Sequence, residues 1–335
     1  MSTLALLPDP ASPLEFETAE AAFADILDGR VPDESVAAFI TALTLREETA
    51  TEIAAAARAL RERMIEVRAP AGAIDVCGTG GDGAHSLNIS TAVSIVVAAA
   101  GVPVAKHGNR AASSKAGAAD TLEALGLDLD RASATAEETL GELGIAFLFA
   151  QTHHPALGRL APVRKAIGRR TIFNIVGPLC NPARVTRQLV GVARTDYIGT
   201  VAEAMRLLGT QSAMVVAGDE GLDELSIAGG SSVVRIGSCG GPSLWREEQV
   251  SPADIGLDLH PLTAIRGGDA AFNAAALARL LAGERGPYRD AVLLNAAAAL
   301  IVADKADGWD DGATIASEAI DSGGAKTLLD RWIAF

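Results

Sequence analysis

The sequence predicts an α/β protein in two parts: a small helical N-terminal domain over residues 1–70, and a larger α/β domain with a mostly parallel sheet over residues 71–335. Three observations predict this division. The chain has 335 residues, which is too long for one small hydrophobic core. Within residues 18–67, apolar positions recur at spacings of three and four, as they do in helices. From about residue 70, apolar runs of the β type alternate with Ala-rich helical runs.

Local signals support individual elements. Thr49 followed by Glu52 forms the pattern of a capping box in front of an Ala-rich helix. Pro32 precedes a second helical run, and the chain from residue 268 onward predicts further helices. The predicted strands are residues 74–77, 102–106, 145–150, 188–193, 213–217 and 232–236.

Composition argues against several classes of protein. The chain carries 42 acidic and 28 basic residues, a net charge of −14, which disfavours nucleic acid or an anionic membrane as a partner. Its 3 cysteines form no CxxC pair, so we expect a reduced, cytoplasmic setting without a disulfide framework. The N-terminal residues show no signal-peptide pattern. The longest apolar run, residues 91–105, is too short to span a bilayer.

Basic residues are concentrated in two stretches that contain no acid. Residues 143–195 lack Asp and Glu but carry several arginines, among them Arg164 and Arg170. Residues 83–119 also lack acids and contain Lys106 and Arg110. A solvated basic face explains one such stretch, but two of them in an acidic protein favour a site for an anionic small molecule.

A glycine-rich loop lies between the first predicted strand and an apolar helix. Residues 74–91 read IDVCGTGGDGAHSLNIST. Glycines let the backbone approach an anion closely, and the N–H groups at a helix start favour negative charge. Hydroxyl and amide side chains of this segment add donors: Ser86, Asn88, Ser90 and Thr91. A tight turn that binds nothing is the alternative interpretation of this loop.

The same loop satisfies the G-x-G-x-x-G pattern through Gly78, Gly80 and Gly83. A dinucleotide site also requires an acid after the next strand to bind the ribose hydroxyls. Here that strand ends in KHGNR, residues 106–110, which contains no acid. The sequence also contains no GxxxxGK followed by Ser or Thr, so neither a dinucleotide site nor a P-loop is predicted.

Six segments, taken in order, carry a more specific signal. They are GTGGDG (78–83), NIST (88–91), KHGNRAASSKAGAADTLEALG (106–126), HHPALGRLAPVRKAIGRRTIFNIVGPLCNPA (153–183), LDELS (222–226) and RDAVLLNAAAAL (289–300). In this order and at this spacing, from about residue 15 to 330, the chain resembles the anthranilate phosphoribosyltransferase family.

The resemblance implies an enzyme that joins phosphoribosyl diphosphate (PRPP) to anthranilate and releases diphosphate, in tryptophan biosynthesis. It implies the fold shared with pyrimidine nucleoside phosphorylases, with the active site in the hinge cleft between the helical and α/β domains. It also implies a homodimer formed through the helical domain, and a segment around residues 155–190 that returns to that domain.

The resemblance assigns site residues position by position. PRPP is assigned to Gly78, Thr79, Gly80, Gly81, Asp82, Ser86, Asn88, Ile89, Ser90 and Thr91, and to a second segment, Lys106, His107, Gly108, Asn109, Arg110, Ser113, Ser114 and Ala118. Anthranilate is assigned to Gly78, Asn109 and Arg164, and one or two Mg²⁺ ions to Ser90, Asp223 and Glu224. No covalent or acid–base catalytic residue is assigned.

Some positions leave alternatives open. The family commonly has a serine where this chain has Ala118, which removes one candidate hydrogen bond to phosphate. His153 and His154 suit a helix start or the lining of a pocket better than a metal site. A pyrimidine nucleoside phosphorylase of the same fold is the alternative enzyme. A non-catalytic relative that binds nucleic acid is disfavoured by the charge of −14.

Overall fold

The computed structural model describes residues 5–111, 115–239 and 244–335, and it contains one sheet of 7 strands in the order β3-β2-β1-β4-β5-β6-β7. The strands are β1 Ile74–Gly78, β2 Val104–Gly108, β3 Ile145–Phe149, β4 Arg187–Gly191, β5 Ser212–Gly218, β6 Ser231–Gly237 and β7 Trp245–Val250. Strands β1 to β5 run parallel, and β6 and β7 continue the sheet antiparallel. The predicted α/β class with a mostly parallel sheet is confirmed.

Helices surround this sheet. They are α1 Phe16–Leu27, α2 Asp33–Arg46, α3 Ala50–Arg61, α4 Ile89–Ala99, α5 Ala118–Ala124, α6 Leu129–Ala134, α7 Ala136–Glu142, α8 Ala150–His153, α9 Pro155–Ile167, α10 Ile172–Ile175, α11 Ile198–Leu207, α12 Ala270–Leu281, α13 Pro287–Val302, α14 Trp309–Asp321 and α15 Gly324–Ala334. In the part of the chain that the structure describes, no helix is both long enough and apolar enough to cross a membrane.

The N-terminal helices form a bundle whose core is aliphatic with a few rings. Phe23 of α1 makes edge-to-face contacts with Phe39 of α2 and Phe173 of α10. The capping box predicted at Thr49 and Glu52 is present at the start of α3. Helix α9 packs against α1 and α2, so part of the segment around 155–190 lies against the N-terminal helices.

The central strands are apolar on both faces, as a sheet covered on both sides requires. Alternate residues belong to two different clusters because side chains of a strand point to opposite faces. Leu189 and Met214 join the cluster that packs with α4 and α13. Val190 and Ala213 join the cluster formed with the N-terminal helices and α11.

One strand was not predicted. The sequence of β7, WREEQV, carries an Arg and two Glu residues, and most of its side chains are exposed or half-buried. Arg235 of β6 pairs with Glu248 of this strand and lies over the ring of Trp309. A charged edge strand has no apolar alternation for a sequence pattern to detect.

Candidate active site

The glycine-rich loop connects β1 to α4 at the carboxyl edge of the sheet, where open α/β sheets bind ligands. Gly80, Gly81 and Gly83 have positive φ angles of 68°, 76° and 74°, which glycine adopts without steric cost. The N–H of Thr79 donates to the carbonyl of Gly191 at 2.9 Å, which fixes the loop to the end of β4. A side chain added at Gly80 or Gly83 would meet open space, so this backbone is accessible to a ligand.

The turn that carries Asp223 and Glu224 lies directly on the ends of β1 and β4. A Cβ atom at Gly78 would collide with the Asp223 carboxylate, and one at Gly191 would collide with the Asp223 backbone. The Asp223 carboxylate accepts a hydrogen bond of 2.6 Å from the N–H of Gly80. These glycines therefore allow the acidic turn to contact the glycine-rich loop.

Asn295 of α13 holds the same turn from behind. Its Oδ1 accepts from the N–H of Leu225 at 2.9 Å, and its Nδ2 donates to the Leu225 carbonyl at 3.0 Å. Asn295 is fully buried, so these bonds are shielded from water. In the sequence, Asn295 stands out only as part of the segment 289–300, and no role was predicted for it.

The carboxylates at this edge repel each other. Burial, followed by the charge of Asp82, raises the pKa of Asp223 to about 7. Burial, followed by the charge of Asp223, raises the pKa of Glu224 to about 8, and the Lys106 ammonium acts in the opposite direction. Asp223 and Glu224, together with the neighbouring charge of Asp82, form a site with excess negative charge, which a cation relieves.

The donor set suits Mg²⁺, which prefers oxygen ligands and is bound by one or two carboxylates together with substrate phosphates. Asp223 and Glu224 supply two carboxylates, and the backbone N–H of Ser90 hydrogen-bonds Glu224, so the predicted metal residues lie together. Among the described residues, no group of three or more His, Cys, Asp or Glu side chains has the geometry of a closed metal site. The two carboxylates leave further coordination positions, which water and substrate phosphates fill in Mg²⁺ sites.

Lys106 of β2 lies near the acidic turn. The residue is 2 % exposed, and its ammonium donates to the carbonyl of Val76 at 2.8 Å and to Oγ of Ser90 at 3.2 Å. Burial lowers the pKa of Lys106, while Asp75 and the acidic turn oppose that shift. These contacts occupy two of the three N–H groups of the ammonium.

His107 is buried, and its ring contacts Gly177 and His154. Its Nδ1 lies 3.1 Å from the carbonyl of Gly177, and its Nε2 lies 3.2 Å from Nε2 of His154. A carbonyl only accepts, so Nδ1 of His107 carries the proton and Nε2 accepts from His154. Both ring nitrogens are used. The backbone N–H of His107 is engaged as well, because it donates to Oδ1 of Asp75 at 3.0 Å, so the assignment of His107 to PRPP stays a prediction.

Arg110 is also engaged elsewhere in this structure. Its guanidinium pairs with Asp120 at 2.9 Å and with Glu123, and it lies over the ring of Phe149. Both ion pairs are made by Nη1 of Arg110, so a phosphate contact through Nε or Nη2 is compatible with them. Asp120 in addition accepts from the N–H groups of Ala111 and Gly117, so it holds the start of α5.

The remaining assigned residues of the second segment lie close to the start of α5. The carbonyl of Asn109 accepts from the N–H of Ala119, and Ala118 is the first residue of the helix. A Cβ at Gly108 would collide with the ring of Phe147, so the chain is tightly packed here. Ser113 and Ser114 lie outside the described residues.

Asn88 has an interior partner at each end of its amide. Its Oδ1 accepts from Thr121 at 2.6 Å and from Asn273 at 2.9 Å, and its Nδ2 donates to the Ala116 carbonyl at 3.4 Å. Asn273 also accepts from the N–H of Gly268. The amide of Asn88 therefore connects three segments around the site, and one N–H remains for a substrate.

Two residues predicted to contact PRPP point into the core. Ile89 is 2 % exposed and packs in the main hydrophobic cluster. Thr91 is 1 % exposed, and its hydroxyl is buried without a partner among the described residues. Both belong to the first turn of α4, and their side chains lie in the core, so their assignment to PRPP stays a prediction. Ser86 instead lies in the loop, where it bridges to Arg266.

Arg164 and Arg170 are basic groups without an anionic partner in the described part of the chain. Arg164 is half-buried on α9, and burial lowers its pKa. The guanidinium of Arg170 lies 3.8–3.9 Å from where a Cβ of Gly81 would be, beside the tip of the glycine-rich loop. Sequence reasoning gave Arg170 no individual role; its only signal was the acid-free stretch that contains it.

Two family models describe a chain of this architecture. Residues 10–64 match the helical bundle domain of a glycosyl transferase family, and residues 71–326 match the a/b domain of the same family. Together with the glycine-rich loop and the acidic turn, these matches define the class as a two-part glycosyl transferase.

The similarity to individual proteins is more specific. The chain is 65 % identical to the anthranilate phosphoribosyltransferase of Novosphingobium aromaticivorans, over 99 % of both chains. The crystal structure of anthranilate phosphoribosyltransferase from Thermus thermophilus matches with a TM-score of 0.91 at 43 % identity, over 97 % of this chain and 96 % of that chain. The Saccharomyces cerevisiae enzyme in complex with PRPP and Mg matches with a TM-score of 0.86 at 29 % identity, over 96 % of this chain and 93 % of that chain. The chain therefore belongs to the anthranilate phosphoribosyltransferase family, as its motifs predicted.

The histidine pair predicts acid sensitivity of the folded state. Burial lowers the pKa of His107 to about 3 and that of His154 to about 4, from an ordinary value of 6.5. The unfolded chain therefore binds these protons first, so stability is complete above about pH 6.5 and falls as the pH decreases. At pH 5, each histidine is expected to reduce the free energy of unfolding by about 2 kcal/mol, at roughly 1.4 kcal/mol per pH unit.

Urea unfolding at pH 7.5 and pH 5.0 checks this expectation. His154→Gln keeps an N–H donor for His107 but cannot take up a proton, so this variant should lose less stability on acidification than the wild type. Equal losses in the two proteins would show that the pair does not titrate as its burial requires.

Proposed function

We propose that the protein transfers the phosphoribosyl group of PRPP to anthranilate, giving N-(5-phosphoribosyl)anthranilate and diphosphate, the second step of tryptophan biosynthesis from chorismate. One observation carries the proposal. The acidic turn of Asp223 and Glu224 lies against an open, glycine-rich loop at the ends of adjacent parallel strands. A diphosphate with a divalent cation fits both features. The named relatives, and the PRPP and Mg of the yeast complex, support the same substrates.

The chemistry requires positioning and charge neutralisation, not a covalent nucleophile. As the bond between C1 of the ribose and the diphosphate oxygen breaks, positive charge builds on the sugar and negative charge on the leaving group. The groups that meet this need are the backbone of Gly81, the ammonium of Lys106, and the carboxylates of Asp223 and Glu224, which would hold Mg²⁺. When bound, Mg²⁺ supplies positive charge to the diphosphate oxygens.

The acceptor amine needs to reach C1 from the opposite side of the sugar. Arg164 has no anionic partner in the described residues and is half-buried on α9. Its guanidinium can therefore bind the carboxylate of anthranilate. The amine nitrogen of anthranilate forms the new bond to C1 and then loses its proton. We assign no acid–base residue to this step.

A direct assay tests the proposed reaction. Purified protein is mixed with anthranilate, PRPP and Mg²⁺, and the loss of anthranilate fluorescence is followed. Phosphorolysis of thymidine or uridine with inorganic phosphate is measured in parallel, because a nucleoside phosphorylase is the competing activity. Turnover of anthranilate supports the proposal, whereas turnover of the nucleosides alone would replace it.

Metal dependence is predicted to reside in the acidic turn. Asp223→Asn combined with Glu224→Gln removes the ligand charges and also the repulsion that raises the pKa values of these acids. We expect turnover to fall by about 100-fold or more, on the scale of losses at metal ligands, while the melting temperature stays the same or rises. The exposed neighbour variant Asp219→Asn is the matched control. Activity of the double variant close to wild type at the same Mg²⁺ concentration would remove the metal assignment.

Arg164 is predicted to separate the two substrates. A charge-assisted hydrogen bond contributes roughly 1.5–3 kcal/mol, so Arg164→Ala should raise the KM for anthranilate about 10- to 150-fold where KM follows binding. The KM for PRPP should change far less, and Arg164→Lys should recover only part of the loss because an ammonium lacks the planar fork. Lys165→Ala, at the exposed next position, serves as the control. The reverse pattern, with PRPP affected and anthranilate not, would transfer Arg164 to the phosphate site.

We also propose a cytoplasmic homodimer that forms through the helical unit, residues 1–70 with the segment 155–190. An apolar hollow of about 460 Å³ on α2 and α9 supports this, and Leu45 at its edge is 69 % exposed. The residues around the hollow are Ala37, Ala38, Thr41, Ala42, Leu45, Ala166 and Ile167. The free thiols of Cys77, Cys180 and Cys239 are compatible with a reducing compartment.

The dimer proposal predicts that a charge at this face separates the subunits. Leu45→Glu places a carboxylate where a partner would bury the leucine, so sedimentation should show a monomer at concentrations where the wild type is a dimer. Lys326→Glu, an exposed position on α15, leaves the helical face unchanged and is the control. A wild type that sediments as a monomer, or a dimer that Leu45→Glu leaves intact, would contradict the proposed interface.

A further inference from the structure

The backbone pairing between β1 and β2 is unusually short. In the described sheet, β1 pairs with β4 at five positions and β2 pairs with β3 at five positions, but the register of β1 with β2 consists of Ile74 and Val104 alone. Both strands run on for four more residues toward the site without this pairing. The glycine-rich loop follows β1, and Asn109 follows β2, so the two assigned phosphate segments leave the sheet on either side of this gap.

Polar side chains fill the gap in place of the backbone ladder. Oδ1 of Asp75 accepts from the N–H of His107 at 3.0 Å, and Oδ2 accepts from Nδ2 of Asn181 at 2.8 Å. The same Nδ2 donates to the carbonyl of Ala105 at 2.8 Å. Asp75 on β1 and Asn181, within the segment 155–190, therefore bind the N–H of His107 and the carbonyl of Ala105, two backbone groups of β2.

Lys106 fills the gap nearer to the site. Its ammonium crosses from β2 to the carbonyl of Val76 on β1 and to Ser90 on α4. Asp75 is 0 % exposed, and Asn181 and Lys106 are each 2 % exposed, so an acid, an amide and an ammonium are enclosed between two strands of one sheet. A carboxylate in such a place costs free energy that a regular ladder between the same strands would avoid.

We propose that Asp75, together with Asn181, is a positioning residue that holds the end of β2 apart from β1, and thereby sets the separation of the two PRPP-binding segments. The inference rests on the proposed function. Asp75 itself is enclosed, and it acts through the backbone of His107. The next residues, Gly108 and Asn109, belong to the second segment assigned to PRPP. Asn181 belongs to the segment 155–190, and Gly177 of the same segment accepts from the His107 ring through its carbonyl. This segment therefore contacts β2 at two places.

Replacement of one oxygen by an amide group tests the inference. Asp75→Asn keeps the size of the side chain, but in either amide orientation its NH₂ group faces another donor, the N–H of His107 or the amide of Asn181. We expect the end of β2 to shift and kcat/KM for PRPP to fall about 10- to 100-fold, since displacements of about 1 Å have effects of that size. The Kd for PRPP, measured by calorimetry with Mg²⁺, should rise in parallel.

A buried acid outside the site provides the matched control. Glu52 is also 0 % exposed, pairs with Arg46, and belongs to the N-terminal helices. Glu52→Gln makes the same acid-to-amide change, so it should lower the melting temperature without changing the KM or Kd for PRPP. A merely structural role of Asp75 would give the same pattern as this control, and that result would overturn the inference.

A milder variant covers a failure of Asp75→Asn to fold. Asn181→Ala leaves the bond from Asp75 to His107 but removes the contact to Ala105, so a severalfold rise in the Kd for PRPP is expected; an unchanged Kd in the folded variant would contradict the inference. The proposed function is tested separately by the wild type. If the wild type does not convert anthranilate, the function fails, whereas a wild type that converts it beside an unaffected Asp75→Asn rejects only the role of Asp75.

Discussion

The contact between the acidic turn and two strand-ending glycines is the constraint on which the site depends. Gly78 and Gly191 end neighbouring strands, and the backbone and carboxylate of Asp223 occupy the space where their side chains would be. No other residue type permits this approach. It brings the Asp223 carboxylate next to a loop whose backbone is open to an anion. A divalent cation can bind the carboxylates and the anion together. The class of reaction follows from that combination more than from the fold, since the same fold serves several activities.

The site is expensive for the folded chain. Burial and neighbouring carboxylates raise the pKa values of Asp223 and Glu224, Lys106 is buried between the strands, and Asp75 is fully enclosed. Surrounding contacts hold these groups in place. Asn295 hydrogen-bonds the acidic turn, and Val76 and Ser90 accept from Lys106. The backbone ladder between β1 and β4 is complete. Such costs are common at functional sites, where ligand or metal binding offsets them.

Sequence patterns predicted the class of fold and the two candidate phosphate segments because both depend on local signals. Glycine spacing identifies a loop that needs positive φ angles, and a stretch without acids identifies where an anion is tolerated. The structure shows more of the site than this because burial depends on packing. Ile89 and Thr91 lie within a motif, yet their side chains point into the core. Asp75 and Asn181 are 106 residues apart and meet inside a split sheet that no periodicity predicts. Arg170 lies beside Gly81, and nothing in its sequence context distinguishes it from the neighbouring arginines.

The most direct test of this account is a crystal structure of the protein with PRPP and Mg²⁺. The account predicts Mg²⁺ at Asp223 and Glu224, the diphosphate along the backbone of residues 80–83, and the phosphoribosyl group between the ends of β1 and β2, with the bond from Asp75 to His107 intact. A diphosphate bound at Arg110 with no ion at the acidic turn would contradict it, as would a closed backbone ladder between β1 and β2.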